Sequence, residues 1–396
     1  MDYEFPSAAI QEQLHRCGEH PYYRRLFDEH NVTPGQVTTV EDFRSLPLLD
    51  SETLEEIVEP PVQESDLYHP DTALLGFTPT PTGELMAEFD THADIESSAR
   101  EWAQLYESAG LGEEDVVYNA YGYEFFGAAH KFQRAAQMTG AAVIPAGPGD
   151  TDQAVSTINE YGVNAYLGNP TFALKLADSG VTSLDTLIIG GEPFSSVPGY
   201  REDVKAAFDG DVTAVDTYGL SELLPVAGEC SNENGLHVAT DYVYAEVIDP
   251  QTEEVLPPGE RGELVLTHLE KESMPLLRYR TGDLTMLDTI DCCEQDVPTL
   301  PKSVFGRVDS MVKIKGVKFH PDELTPVFSS LDGLTGDYQV RITRPKDVDH
   351  VELICEGDAA REEIRNAVEK HALVSFDEIA VTETLNEEQT IIEERY

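Results

Sequence analysis

The chain has 396 residues, 40% of them apolar, which is enough for a sizeable core and more than one domain and excludes a disordered polymer. Asp and Glu outnumber Lys and Arg by 75 to 26, giving a formal charge of -49 spread along the whole chain. Such a surface disfavours naked nucleic acid and anionic membranes as partners and reads as halophilic, because in molar salt screening within ~3 Å removes the self-repulsion. The N-terminus lacks a basic start followed by an apolar stretch, and no run approaches ~18 apolar residues, so neither a signal peptide nor a membrane span is expected. Five cysteines are an odd number and too few for a disulfide scaffold, and the expected location is cytoplasmic.

Residues 1–70 are charged, helix-prone and punctuated by proline, and form a predicted N-terminal helical segment. The stretch "GFTPTPTGEL" (76–85) follows, a threonine- and glycine-bearing turn. "THADIESSAREWAQLYESAG" then predicts a helix. Thr91 caps it with Asp94 three residues on, Ile95, Ala99, Trp102 and Tyr106 share one face, and Gly110 ends it. Strands and helices alternate from there. Strands fall at 141–146, 164–168, 185–191 and 212–219, and the segments between them are helical. The pattern predicts an α/β domain with a mostly parallel sheet, whose ligands bind outside the carboxyl ends of the strands. The loops "GGEPF" (190–194) and "YGLSE" (218–222) lie there.

After about residue 236 the texture changes to alternating, hairpin-like strands, a predicted β subdomain within a core spanning 71–305. Residues 306–396 read as a small α+β C-terminal domain, with strands in "YQVRIT", "HVELICE" and "EIAVTET" around the helix "DAAREEIRNAVEKHA".

Four stretches in order, "GGEPF", "YGLSE", "RYRTGD" (278–283) and "GRVDSMVKIKGVKFHP" (306–321), together resemble the adenylate-forming acyl-CoA ligases, specifically the phenylacetate–CoA ligase branch. "NAYGYEFFGAAH" (119–130), "GECSNENGLH" (228–237) and the run from Leu256 to Thr285 are similar to the same branch, and the resemblance covers about residues 70–345. It implies a large domain and a small one joined by a hinge. It also implies two half-reactions: a carboxylate attacks the α-phosphate of ATP to give an acyl-adenylate, and a thiol, usually coenzyme A, then displaces AMP.

The resemblance assigns roles residue by residue. Tyr218 stacks on adenine, with Asp216, Gly219 and the turn Gly190, Gly191, Glu192 and Pro193 around the ring. Ser221 touches a phosphate and Glu222 holds Mg²⁺, a hard cation that takes oxygen ligands. Asp283 accepts from the ribose hydroxyls, Arg307 sits near ribose or phosphate, and Asp309 is the hinge. "KIKGVKFHP" is the loop that swings in for the thiol step, with Lys315 as its candidate catalytic lysine. Gly122, Tyr123 and Phe126 line the acyl pocket, with flat apolar walls for an aryl group. Self-association into a homodimer stays open.

A metal site is also implied. Cys230 and His237 lie seven residues apart, and relatives carry a Cys-x-Cys further on that completes a zinc set. Here Cys292 takes the first of those positions and Glu294 the second. Adjacent cysteines are expected to chelate one ion poorly, so the fourth ligand is Cys293, Glu294 or absent, and buried free thiols are the alternative.

Two departures bear on ATP. Relatives have a loop like SSGTTGKP, whose backbone N–H groups cradle the phosphates. Aligned on Gly83, only Thr82 and Gly83 survive here: Pro79 and Pro81 have no N–H to offer, and Glu84 replaces the lysine. At ~4 Å and an effective dielectric constant of ~20, one reversed charge against a triphosphate shifts the interaction by several kcal/mol. The family also places a lysine near its end for adenylation, whereas residues 371–396 contain none. The expectation is an acyl-CoA ligase-like enzyme impaired in ATP use. The alternatives are a non-catalytic AMP- or acyl-CoA-binding module, a synthetase that adenylylates another acceptor as deazaflavin-modifying relatives do, or an acyltransferase fed with preformed acyl-adenylate.

Overall fold

The computed structural model describes residues 5–79, 85–208, 211–293, 295–308, 312–314, 317–319, 321–324, 327–328, 331, 333–344, 350–371, 375–382, 384–385 and 390–394. They fall into two compact units. The first comprises Met1–Phe194, Glu202–Thr281 and Met286–Ser303, and the second Ser195–Arg201, Gly282–Thr285 and Val304–Tyr396.

The first unit is organised by one sheet, whose described strands run in the order Thr299–Leu300, Leu236–Val238, Leu223–Glu229, Thr213–Leu220, Thr186–Ile189, Ala165–Gly168, Val116–Asn119, Ala142–Pro145. The last five of these pair parallel, and the first four are joined by antiparallel ladders. The mostly parallel α/β expectation therefore holds, and the carboxyl ends of the parallel strands stand together on one edge. The helices between them start where side chains satisfy the first free N–H groups: Asp150 accepts from Gln153 ahead of Thr151–Tyr161, and Asn169 from Phe172 ahead of Pro170–Asp178.

The helix His92–Ser108 begins with a complete capping box: Thr91 accepts from the Asp94 N–H and Asp94 from the Thr91 N–H. It buries Ala99, Trp102 and Tyr106 against the helix Ala128–Met138 and the sheet, and the Trp102 and Phe132 rings meet edge to face at 5.2 Å. Ile95, read as part of the same apolar face, is only half-buried. Ahead of this helix the strands Thr72–Pro79 and Leu85–Thr91 form an antiparallel hairpin in register from Leu74↔Asp90 to Pro79↔Leu85. The sequence pattern predicts only a turn here. Residues 80–84, which join the two strands and include Thr82 and Gly83, lie outside the described residues. Elsewhere in this unit Val243–Ile248 pairs antiparallel with Gly262–His268.

In the second unit Leu334–Thr343 pairs antiparallel with His350–Gly357. The sheet is extended in parallel by Ile391–Glu394 on one side and Glu378–Thr382 on the other. A core of Phe319, Phe328, Val340, Leu353 and Ile364 lies around it, so this unit is a small α+β layer as expected. Asp309, Lys315 and residues 386–389 of the C-terminal stretch lie outside the described residues.

Candidate nucleotide site and a thiol cluster

The strand Thr186–Ile189 ends in the turn Gly190–Pro193, and the adjacent strand carries Asp216, Thr217 and Tyr218. The two are in close contact. A Cβ on Gly190 would lie 2.5 Å from Thr217 Oγ1 and 3.0 Å from Tyr121 Oη, so only glycine fits, and Gly191 has a left-handed φ of +81°. Thr217 Oγ1 donates to the Ile189 carbonyl at 2.7 Å, locking the two strand ends together. Glu192 accepts from Thr171 Oγ1 at 2.5 Å. Asp216 is fully buried, and its N–H donates to Glu229 at 2.7 Å. Tyr218 is buried, and Gly219 packs against Leu224.

Ser221 and Glu222 form the tight turn between the paired residues Leu220 and Leu223. Tyr279 donates its hydroxyl to Glu222 Oε1 at 2.8 Å. In the second unit Asp283 and Arg307 face one another across an antiparallel ladder, and Arg307 Nη1 donates to Asp283 Oδ1 at 2.9 Å. Asp283 is buried and Arg307 half-exposed.

Around "NAYGYEFFG" the structure separates the aromatics. Tyr123 receives a hydrogen bond from Asn119 Nδ2 at 2.8 Å, Phe126 is 40% exposed, and Gly122 packs on Phe126 and Pro148. Tyr121 is the residue that reaches the strand ends. Its hydroxyl donates to the Gly168 carbonyl at 3.3 Å, and its ring lies 4.7 Å from that of Phe132. The sequence points to its neighbours Gly122, Tyr123 and Phe126 instead, and carries no separate signal for Tyr121. A cavity of about 760 Å³ is lined by Arg44, Tyr244, Glu246 and Val297 among others, and by none of these strand-end residues.

Under the hairpin lies a set of buried charges that no motif signals. Asp90 is paired with Lys131 Nζ at 2.8 Å and with Lys271. Burial alone raises a carboxyl, but these two ammonium groups override it and hold Asp90 well below the usual carboxylate range. Two residues away Glu88 is 3% exposed, and its Oε1 has no hydrogen-bond partner among the described residues. Burial pushes its carboxyl up to about 8, against the pull of Lys131 and with the push of Glu222 and Asp90.

Cys230, His237, Cys292 and Cys293 bring their ligand atoms within 4.8 Å of one another. Cys230 Sγ and Cys292 Sγ are 3.8 Å apart, and both the Cys292 and Cys293 sulfurs lie 3.4 Å from His237 Nε2. Adjacent cysteines are expected to chelate one ion poorly, with Cys293 one candidate for the fourth ligand, yet here both sulfurs converge on the cluster. Residues 292 and 293 lie in a bend, where successive side chains need not point to opposite sides as they do in a strand. Burial lowers the His237 pKa and keeps the imidazole neutral. Glu294, the other candidate, lies outside the described residues.

A family model described as "AMP-binding enzyme" matches residues 3–268. The chain belongs to the AMP-binding enzyme family. Within this adenylate-forming family it falls in the phenylacetate–CoA ligase-like branch. It is 32% identical over 349 residues to the phenylacetate-coenzyme A ligase of Thermus thermophilus, covering 84% of this chain and 76% of that protein. It is 29% identical to the enzyme of the same name from Escherichia coli, covering 84% and 77%. Among solved structures it resembles 2-hydroxyisobutyryl-CoA ligase in the postadenylation state with 2-HIB-AMP. The TM-score is 0.82 and the identity 25%, covering 98% of this chain and 88% of that one. An AMP-binding enzyme of this kind is an acid–thiol ligase by family. Among the described residues no helix is long and apolar enough to cross a membrane.

Proposed function

We propose that this chain activates an aryl or similar carboxylate as its acyl-adenylate and passes the acyl group to coenzyme A. The observation that carries the reading is the pair of strand ends in which Gly190 abuts Thr217 and Tyr121 beside Tyr218, in a chain of this family. In this reading Tyr218 stacks on adenine, with Asp216, Gly219, Glu192 and Pro193 around the ring. Asp283 accepts from the ribose hydroxyls, and Arg307, its ion-pair partner, donates to ribose or phosphate oxygens. Ser221 contacts a phosphate. Glu222 is the cation ligand: one carboxylate suits Mg²⁺, which keeps most of its water and takes its other ligands from phosphates. The ion supplies charge neutralisation on the phosphates. Gly122, Tyr123 and Phe126 face the acyl group, and Lys315 serves the thiol step. Thr82 and Gly83 are what remains of the phosphate cradle.

The test is pyrophosphate release and thioester formation, followed by mass spectrometry, with ATP, Mg²⁺, coenzyme A and a panel of aryl and short hydroxy acids. Acid-dependent turnover of both products supports the reading. A second reading, a binding module for AMP or acyl-CoA, is favoured by Pro79, Pro81 and Glu84 in the phosphate loop and by the lack of any lysine in residues 371–396. It predicts AMP binding with no pyrophosphate from any acid.

Zinc is the proposed occupant of the thiol cluster. A tetrahedral ion with Zn–S bonds of ~2.3 Å sets neighbouring sulfurs about 3.8 Å apart, and Cys230 and Cys292 stand at 3.8 Å. The ion would tie the bend at 292–293 to the strand bearing His237, a structural role outside the chemistry. Elemental analysis of the purified protein should give about one zinc per chain, lost in a Cys230→Ser, Cys292→Ser variant; no bound zinc in the parent protein contradicts it.

A further inference from the structure

We infer that Tyr279 is a positioning residue for Glu222, fixing the carboxylate that the proposed reading assigns to the cation. The inference rests on that reading of Glu222. Tyr279 comes from a strand 57 residues further on, and its hydroxyl donates to Glu222 Oε1 at 2.8 Å.

What makes it a rigid donor is its backbone. The Arg278 carbonyl accepts from the Leu49 N–H at 3.0 Å, and the Arg280 N–H donates to the Leu49 carbonyl at 2.8 Å, so Tyr279 is clamped on both sides. Both flanking side chains are anchored as well. Arg278 donates to Glu246 at 3.2 Å and to the carbonyls of Arg44 and Leu46 at 2.8 and 2.7 Å. Arg280 grips Glu263 through Nε and Nη2 at 3.1 and 2.6 Å. The Tyr279 ring is 3% exposed, so its two side-chain torsions are held by packing.

Glu222 is the opposite case. It stands in a two-residue turn, half-buried, with three torsions of its own. A phenol fixed at 2.8 Å selects one orientation of that carboxylate. Partners that orient a metal ligand in this manner are typically worth 10–100-fold in metal affinity.

The test uses the whole chain and Mn²⁺ as the probe. Mn²⁺ is titrated in the presence of ATP and followed by electron paramagnetic resonance, and AMP is titrated by calorimetry in EDTA. Tyr279→Phe keeps the ring and removes only the hydroxyl. The expected result is Mn²⁺ affinity about 10-fold weaker, metal-free AMP affinity unchanged, and a Tyr279→Phe, Glu222→Gln double variant no weaker than Glu222→Gln alone. Wild-type Mn²⁺ affinity in Tyr279→Phe, with Glu222→Gln weakened, overturns the inference and leaves the Glu222 assignment standing. So do losses that multiply in the double variant, or an equal loss of AMP in EDTA, which marks a merely structural tyrosine. Unchanged Mn²⁺ affinity in Glu222→Gln removes the assignment itself, and the inference with it.

Discussion

The strand-end turns and the hairpin joint are both buried, both polar and part of the same compact unit, yet they are held in different ways. At the strand ends the chain uses absence: Gly190 has no side chain, so Thr217 and Tyr121 close onto the backbone. At the hairpin it uses charge: Asp90 on a strand meets Lys131 from a helix and Lys271 from a loop, with Glu88 beside them. A site built on absence is sensitive to one added atom, whereas a site built on charge is sensitive to the loss of one partner. Only the first kind leaves a compact mark in the sequence.

The largest effect should come from breaking the charged joint. Asp90→Ala leaves Lys131 and Lys271 buried, with Asp94 4.0 Å from Lys271 and the buried Glu88 near both. Removing one partner of a buried pair typically costs ~3–5 kcal/mol, and chemical denaturation should show a loss of that size. A loss below ~1 kcal/mol would mean that the joint is not a stabilising element.

Glu88 sharpens the same point through pH. Its folded value of about 8 lies above that of the unfolded chain. The neutral acid is therefore the form compatible with folding. Its contribution is complete below the unfolded value and is lost as pH rises through about 8. Glu88→Gln keeps the shape without the ionisation. The variant should match the parent near pH 5 and be more stable by about 2–4 kcal/mol at pH 9, read as unfolding midpoints across that range. A stability difference that does not change with pH contradicts the assignment.

The smallest effect tests the strand ends. Gly190→Ala places a methyl group 2.5 Å from Thr217 Oγ1, which is itself held by the Ile189 carbonyl. Overpacking of this kind typically costs ~1–3 kcal/mol. The variant should lose stability in that range and bind AMP more weakly, and parent-like AMP affinity would separate this turn from the nucleotide.

These differences also explain what could be read from the sequence. Four of the five parallel strands and most of the helices between them were legible because apolar runs, caps and glycines are local signals, whereas the short strand Val116–Asn119 was not. The Thr91–Asp94 capping box follows from residues three positions apart. Tyr218, Glu222 and Asp283 were legible only as members of a motif set, since alone each is an ordinary strand-end or turn residue. Tyr121, Tyr279 and the Glu88 cluster were missed for a common reason. Their partners lie far along the chain: Tyr121 bonds to residue 168, Tyr279 to residue 222, and Asp90 to residue 271. The thiol cluster was half legible: the residues stood out, but the convergence of two adjacent cysteines depended on a bend that composition does not reveal.

The most direct test of the central claim is a calorimetric titration of AMP into the parent protein and into Tyr218→Ala under identical conditions. Loss of base–aromatic stacking is typically worth ~1–3 kcal/mol. The account predicts saturable one-site AMP binding by the parent and an affinity about 5- to 150-fold weaker in the variant. Equal affinities, or a parent that does not bind AMP, would contradict it.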